Sequence, residues 1–457
     1  MKSQKSIRTI LFLSFALLGK YSWAVPIGIV DSGTDLRHPD LVAKAWTNPG
    51  NLAGDSFKDD THGWNFAENS NEIIDYSYLG KFSPDTTKFF QVQLKLLHGT
   101  ATEEDKQWMK DKKKDENFIK ELEKFGNFVH GTHVAGISAR SADHAQILAA
   151  KIIPTEVKTP AVELLMESFW DHFSLVRLIG DSFTDTALNF MLDMAADQQS
   201  KTLTPVGTYL NTTGMAAANC SFGTNVDQAK RVAKILAKKL LSKDLTEAEQ
   251  EKYGKLFINK IIEKGASFVT SAAKTLFVIA AGNDGTDNDQ LPTFPANLKY
   301  DNTISVAATR GYDKLASFSN YGIKMVEIAA PGVGIISDIP GGDTMPLSGT
   351  SQAAPFITNL AGRILDANPK LTLPEVKQIL MQTVDKKDFL VGKVVAEGIA
   401  NPDRALRAAN LSEQLGVASA VEQAKREVGD VKTLLSVIPT ADGYDGEPIP
   451  LPSTLLM

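Results

Sequence analysis

The chain has 457 residues, 43% of them hydrophobic and 22% charged, with a formal net charge of -6. Such a composition belongs to a globular protein and excludes a disordered, collagenous or membrane-embedded chain. The acidic balance, with no Lys/Arg-rich stripe interleaved with aromatics, sets nucleic acid aside as a partner.

Residues 1–24 read as a secretory signal peptide. Lys2, Lys5 and Arg8 open it, residues 10–18 form a short apolar run, and Ser22-Trp23-Ala24 is a small-x-small cleavage pattern. The alternative is a buried N-terminal helix. The run is too short to span a bilayer, no Cys follows it for a lipid anchor, and no later segment is apolar enough to cross. The expectation is export to the periplasm or beyond, with cleavage near Ala24 and no stable membrane span. Cys220 is the only cysteine, so no internal disulfide forms and a large core must supply stability. A packed, inert thiol is expected there.

Short apolar runs at 26–30, 146–153, 215–222, 276–281, 303–308 and 325–330 read as buried strands of a parallel sheet. Residues 184–196 and 228–241 carry helical spacing. This alternation predicts an α/β fold of three layers, with a mainly parallel central sheet and helices on both faces. Sites in such sheets form beyond the carboxyl ends of strands. Three runs end there in Asp31-Ser32-Gly33, Gly223 and Gly282-Asn283. Residues 76–125 and 154–180 look inserted; each reads as a surface helix packed on the domain or as a flap gating substrate. Residues 412–437 read as a mixed-charge helix and 438–457 as an extended tail. The division is therefore 1–24 signal, 25–410 main domain, and 411–457 C-terminal helix and tail.

Hydrolysis by serine needs an imidazole to take the hydroxyl proton, a carboxylate to hold the imidazole, and N–H donors for the oxyanion. Ser351, in Leu347-Ser348-Gly349-Thr350-Ser351-Gln352-Ala353-Ala354-Pro355, lies where a loop enters a helix; a simple N-cap is the alternative. His130 and His133, in Val129-His130-Gly131-Thr132-His133-Val134-Ala135-Gly136, are placed at the start of another helix. Their spacing of three could suggest a metal, but no third ligand is evident, and no metal site is expected. A core histidine is the alternative for either. Asp31 ends a buried strand, where a capping carboxylate is the alternative.

Together these segments resemble the three signature motifs of the subtilisin-like serine proteases (the subtilase family, peptidase S8). Those are D-[ST]-G, H-G-T-H-V-A-G and G-T-S-x-A-x-P, in the Asp, His, Ser order known for subtilisin. His38-Pro39-Asp40-Leu41, Asn219-Cys220-Ser221-Phe222-Gly223, Ala280-Ala281-Gly282-Asn283, Phe294-Pro295-Ala296, residues 316–322, Ala330-Pro331-Gly332 and residues 398–405 extend the resemblance over most of 25–407. The resemblance implies a serine endopeptidase acting through an acyl-enzyme, with Ser351 as nucleophile, His130 as acid and base, and Asp31 as its support. Asn283 and the Ser351 N–H would bind the oxyanion, and His133 would be structural. Ser221, Phe222, Gly223, Ala281, Gly282 and Thr293 would bind substrate, which adds as a strand beside Ser221–Gly223. Protein or peptide substrates, a monomer and no required cofactor are expected.

Four departures stand out. The Asp31 strand begins almost at the cleavage point, so folding without an N-terminal propeptide is expected. The family's calcium site uses an Asp matching Asp40 and an Asn-rich loop after the histidine helix; residues 138–147 are too short for that loop, so calcium is possible but its usual site is incomplete. Thr293 stands where the pocket floor often has Gly, and Phe222 adds bulk, predicting small or medium apolar P1 residues. The Asp31–His130 spacing is long, which puts the 76–125 insertion near the cleft. Two rival functions remain: a catalytically silent binding protein on this fold, and a dedicated processing protease with one partner substrate.

Overall fold

The computed structural model describes residues 24–50, 52, 55–97, 99–157 and 184–432. The signal segment, most of the 154–180 insertion and the tail from 433 lie outside the described residues.

The apolar runs form the sheet. Strands β1 (Val25–Asp31), β2 (Gly63–Asn65), β3 (Ala145–Lys151), β4 (Ala217–Cys220), β5 (Leu276–Ala280), β6 (Thr303–Arg310), β7 (Lys314–Leu315) and β8 (Ile328–Pro331) appear in chain order. A separate antiparallel hairpin, β9 (Ile335–Ile339) with β10 (Asp343–Leu347), follows, and β11 (Asp385–Lys386) and β12 (Gly398–Ile399) close the edge. The main sheet runs β11-β12-β8-β6-β5-β4-β1-β3-β2, with β7 paired to β6. Its pairs are parallel except β11 with β12 and β6 with β7.

Alternate residues of each strand bury opposite faces. Val30, Leu148, Ala218, Phe277 and Ile279 meet helices α4 (Thr184–Thr212), α5 (Val226–Leu241) and α6 (Glu247–Thr270). Ile27, Ile29 and Ile147 meet α3 (Glu116–Ala139). Val278, Ile304 and Val306 meet α7 (Thr350–Ala367). Behind α7 lie α8 (Leu373–Gln382), α9 (Pro402–Leu411) and α10 (Val417–Glu427). A sheet covered on both faces needs continuous apolar runs rather than polar alternation, which is how these strands read.

Helix α4 runs well past residue 196 despite Pro205. The Thr204, Thr208 and Thr212 hydroxyls each bond back to the carbonyl four residues earlier, within the long polar stretch that hid this continuation. Helix α6 went unread in the sequence, although Thr246 and Glu249 form a capping box at its start. Val421 and Ala424 of α10 join the core beneath α9, so the C-terminal helix belongs to the main domain.

The first insertion is a small helical layer. Helices α1 (Pro84–Leu97) and α2 (Glu103–Lys112) share an aromatic cluster with the first half of α3: Phe89, Phe90, Met109, Phe118, Leu122 and Phe128. Met345 and Leu347 of β10 sit in the same cluster. The expected helix start near His130 is corrected here. Asp115 caps α3 by accepting from the Asn117 and Phe118 amides, and no proline interrupts the helix before His130. His130 therefore lies inside a 24-residue helix that the insertion begins.

Candidate active site

Asp31 ends β1 and His130 projects from α3. The Asp31 Oδ1 accepts from His130 Nδ1 at 2.7 Å and from the Ser32 amide at 2.7 Å. A carboxylate can only accept, so the imidazole proton lies on Nδ1, and in the neutral ring Nε2 keeps its lone pair. Nε2 is buried and bonded to none of the described residues. The close approach of α3 to the Asp31 loop needs glycine: a Cβ on Gly131 would lie 2.1 Å from the Gly33 carbonyl oxygen. The Gly131 amide donates to Ser32 Oγ at 3.2 Å across the same contact. His133 is fully buried, with Nε2 at 3.1 Å from the Ile335 carbonyl and 3.0 Å from that of Met345. It joins α3 to both strands of the hairpin, and burial pushes its imidazole down to about 3, so it is neutral and structural.

Ser351 is the second residue of α7, and its amide is among the helix's unpartnered N-terminal N–H groups, where the dipole favours negative charge. Pro355 removes the N–H that would have bonded the Ser351 carbonyl. Ser221 Oγ replaces it, donating to that carbonyl at 3.0 Å, and is itself held by Asn219 Nδ2 at 2.8 Å. Ser351 Oγ donates to the Ser221 carbonyl at 3.3 Å. The hydroxyl is thus not hydrogen-bonded to His130 in this structure; such bonds are commonly loose without substrate and tighten with it.

Asn283 Oδ1 accepts from the Thr350 amide at 2.8 Å and from Thr350 Oγ1 at 2.9 Å. A backbone N–H can only donate, so this end must be oxygen, and Nδ2 is left to face elsewhere. A Cβ on Gly349 would sit 3.5 Å from the Ser351 nitrogen and 3.6 Å from Asn283 Nδ2. Two N–H donors therefore lie near one point beside Gly349, with the Gln352 side-chain oxygen 2.9 Å from the same point.

The six residues expected to bind substrate divide. Gly223 is partly exposed, and its N–H and C=O bond to none of the described residues. The Thr293 methyl lies 3.6 Å from where a Cβ on Gly223 would stand and 3.5 Å from one on Gly282. Thr293 therefore sits between those two segments, as a pocket floor would. Phe222 is corrected: its ring packs in the core against Phe268, so its bulk does not narrow a pocket. Ala281 is buried, with its amide bonded to Val306 and its carbonyl to Asn288, and has nothing left for a ligand. The Ser221 side chain is occupied by Ser351 and Asn219. Three further residues organise the site. Thr350 orients Asn283, Asn219 orients Ser221, and the fully buried Asn320 accepts from the Asp284 and Thr286 amides while donating to Asn288 and Thr293. Asn320 and Thr350 stand inside the quoted motifs, but their roles need contacts across 30 to 70 residues of chain.

The residues present do not fit the family's calcium loop. Only residues 140–144 separate α3 from β3, and none is Asn.

The Subtilase family model matches residues 23–402, and the chain belongs to the subtilase family. The cell wall-associated protease of Bacillus subtilis (strain 168) is 33% identical over 237 residues, 47% of this chain and 25% of that protein. The thermophilic serine proteinase of Bacillus sp. (strain AK1) is 41% identical over 112 residues, 24% of this chain and 26% of that protein. These matches span about a quarter of each relative's length. Among solved structures, a cold adapted subtilisin-like serine proteinase aligns over 82% of this chain and 89% of its own, with 16% identity and a TM-score of 0.41.

Proposed function

We propose that this chain is an exported serine endopeptidase working through an acyl-enzyme. One observation carries the reading: His130 commits its Nδ1 proton to Asp31 and keeps a buried, unpartnered Nε2 as the available base. Ser351 Oγ turns from the Ser221 carbonyl to Nε2 and attacks the substrate carbonyl as its proton passes to His130. Asp31 stabilises the imidazolium, and the Ser351 N–H and Asn283 Nδ2 receive the oxyanion. His130 then returns the proton to the leaving amine, and water, activated by the same imidazole, hydrolyses the ester. The partly exposed Gly223, just beyond the end of β4, suits strand-like pairing with an extended peptide. The Thr293 methyl supports small or medium apolar P1 side chains. Export rests on the pattern of residues 1–24. It accords with relatives described as a cell wall-associated protease and, from Dichelobacter nodosus, an extracellular basic protease.

The test is covalent labelling by a fluorophosphonate probe together with digestion of a peptide library. Wild type should label and cleave, and Ser351→Ala should do neither. A folded wild type that takes no label would leave the silent binding protein as the better reading.

A further inference from the structure

We propose that His38, Asp40 and Asp338 form a binding site for one divalent transition ion of the zinc class, separate from the catalytic residues. The loop after β1 folds back on the β9–β10 hairpin at His38, where Nε2 lies 3.1 Å from the Asp343 carbonyl oxygen. A carbonyl can only accept, so Nε2 carries the proton. The Asp40 amide donates to Nδ1 at 3.2 Å, which independently requires a lone pair on that nitrogen. Both contacts select the same neutral tautomer. Yet the Asp338 carboxylate lies 3.6 Å from Nδ1. The Asp40 amide holds the one Nδ1 lone pair, and the Asp338 carboxylate stands beside the same nitrogen as a second acceptor, with both side chains almost fully buried.

The described residues give the Asp338 carboxylate no hydrogen bond. Lys44 and Arg140 lie within electrostatic range, but each donates to a backbone carbonyl instead, Lys44 to Ala139 and Arg140 to Ile336. The ion would take the Nδ1 lone pair that the Asp40 amide now holds, that amide turning to water, and would give the Asp338 carboxylate the close partner that the described residues do not. The exposed Asp40 carboxylate completes the set, and the three ligand atoms lie within 4.8 Å of one another.

The geometry selects the ion. A metal about 2.0–2.2 Å from both His38 Nδ1 and Asp338 Oδ2 would subtend roughly 110–130° between them, close to tetrahedral. One nitrogen and two carboxylates, with room for water, suit zinc, whereas calcium prefers six to eight oxygens. The His38 Nε2–H bond to a backbone carbonyl is the orientation that metal-bound imidazoles commonly have. The ion would fasten the loop following Asp31 to the hairpin that leads into Ser351, adding stability to both. The inference does not depend on the protein's being a peptidase.

The rival is an ion pair in which His38 is protonated and the Asp40 amide turns to water. Calorimetric titration of tag-free Ser351→Ala protein with Zn2+ separates the two. Expected are one equivalent bound at micromolar Kd or tighter, a rise in Tm, and visible absorption bands when Co2+ is used. His38→Gln and Asp40→Asn should each weaken binding at least about tenfold. Asp40 is exposed, so its variant decides the matter if His38→Gln does not fold. No binding below about 1 mM, or the same affinity in wild type and Asp40→Asn, overturns the proposal.

Discussion

At the scale of single residues, Thr350 and Ser221 do for the candidate site what the motif serine cannot do for itself. Thr350 holds the oxygen of Asn283 from two sides, so the amide nitrogen is aimed without freedom to swing. Thr350→Val keeps the backbone bond and loses the hydroxyl. We expect kcat to fall about ten- to a hundredfold with KM little changed, because a displaced oxyanion donor matters only in the transition state. Thr350→Ser should restore most of the rate, and a KM effect alone would contradict the assignment. Ser221→Ala leaves the Ser351 carbonyl buried with no donor, since Pro355 has none to offer; it should cost about 1–3 kcal/mol of stability, read from denaturant midpoints. Thr293→Ser keeps the bonds to Asn288 and Asn320 and removes only the methyl. On library peptides it should raise the relative kcat/KM for larger P1 side chains by about tenfold, and an unchanged profile would remove Thr293 from the pocket.

At the scale of elements, helix α3 is the part that binds the insertion to the site. Its first half lies in the insertion's aromatic cluster, its second half carries His130 and His133, and Met345 and Leu347 bring β10 into the same cluster, which reaches Val129 next to the histidine. A flap could loosen without harming the fold, whereas this layer shares its buried cluster with α3 and β10. Phe118→Ala should destabilise the whole protein by about 3–5 kcal/mol in a single cooperative transition. A variant that melts like wild type yet changes only its preference among large substrates would restore the flap reading. This layer also marks where sequence reading stopped. The strands were legible because a sheet buried on both faces writes its positions as local apolar runs. The candidate catalytic residues were legible because each sits in a short motif, Asp31 at a strand end, Ser351 at a helix start and His130 within α3. The start of α3 was not, since the glycines and histidines after residue 125 look like a new beginning while the cap that starts the helix is Asp115. The roles of Asn320, Thr350 and Asp338 were illegible for a different reason: each depends on a partner far along the chain, and no local period encodes it.

At the scale of the whole molecule, a buried base couples the fold to pH. His133 bridges α3 and both hairpin strands through one N–H, and burial, above all, holds its imidazole down to about 3, against an ordinary value near 6.5. Below pH 6.5 the unfolded chain takes up a proton that the folded one refuses. The stabilisation is therefore complete above pH 6.5 and is lost as pH falls towards 3, at up to about 1.4 kcal/mol per unit. Other groups act in the opposite sense: burial raises Glu327, which favours the folded state as pH falls. Comparing two proteins that differ only at His133 isolates the imidazole from that background. Ser351→Ala serves as the parent to prevent self-digestion, and His133→Gln is added to it. The double variant should be less stable at pH 7.5, because the flexible glutamine side chain fills the fully buried imidazole site less well and loses more rotamer freedom there. Between pH 6.5 and 5.0, however, the stability difference between the two should shrink by about 1.6 kcal/mol, since only the parent has a proton to refuse. Urea denaturation at several pH values measures this directly. Parallel curves would mean that the folded protein accepts the proton at His133 as readily as the unfolded chain, and that the hairpin is not fastened to α3 through a neutral imidazole.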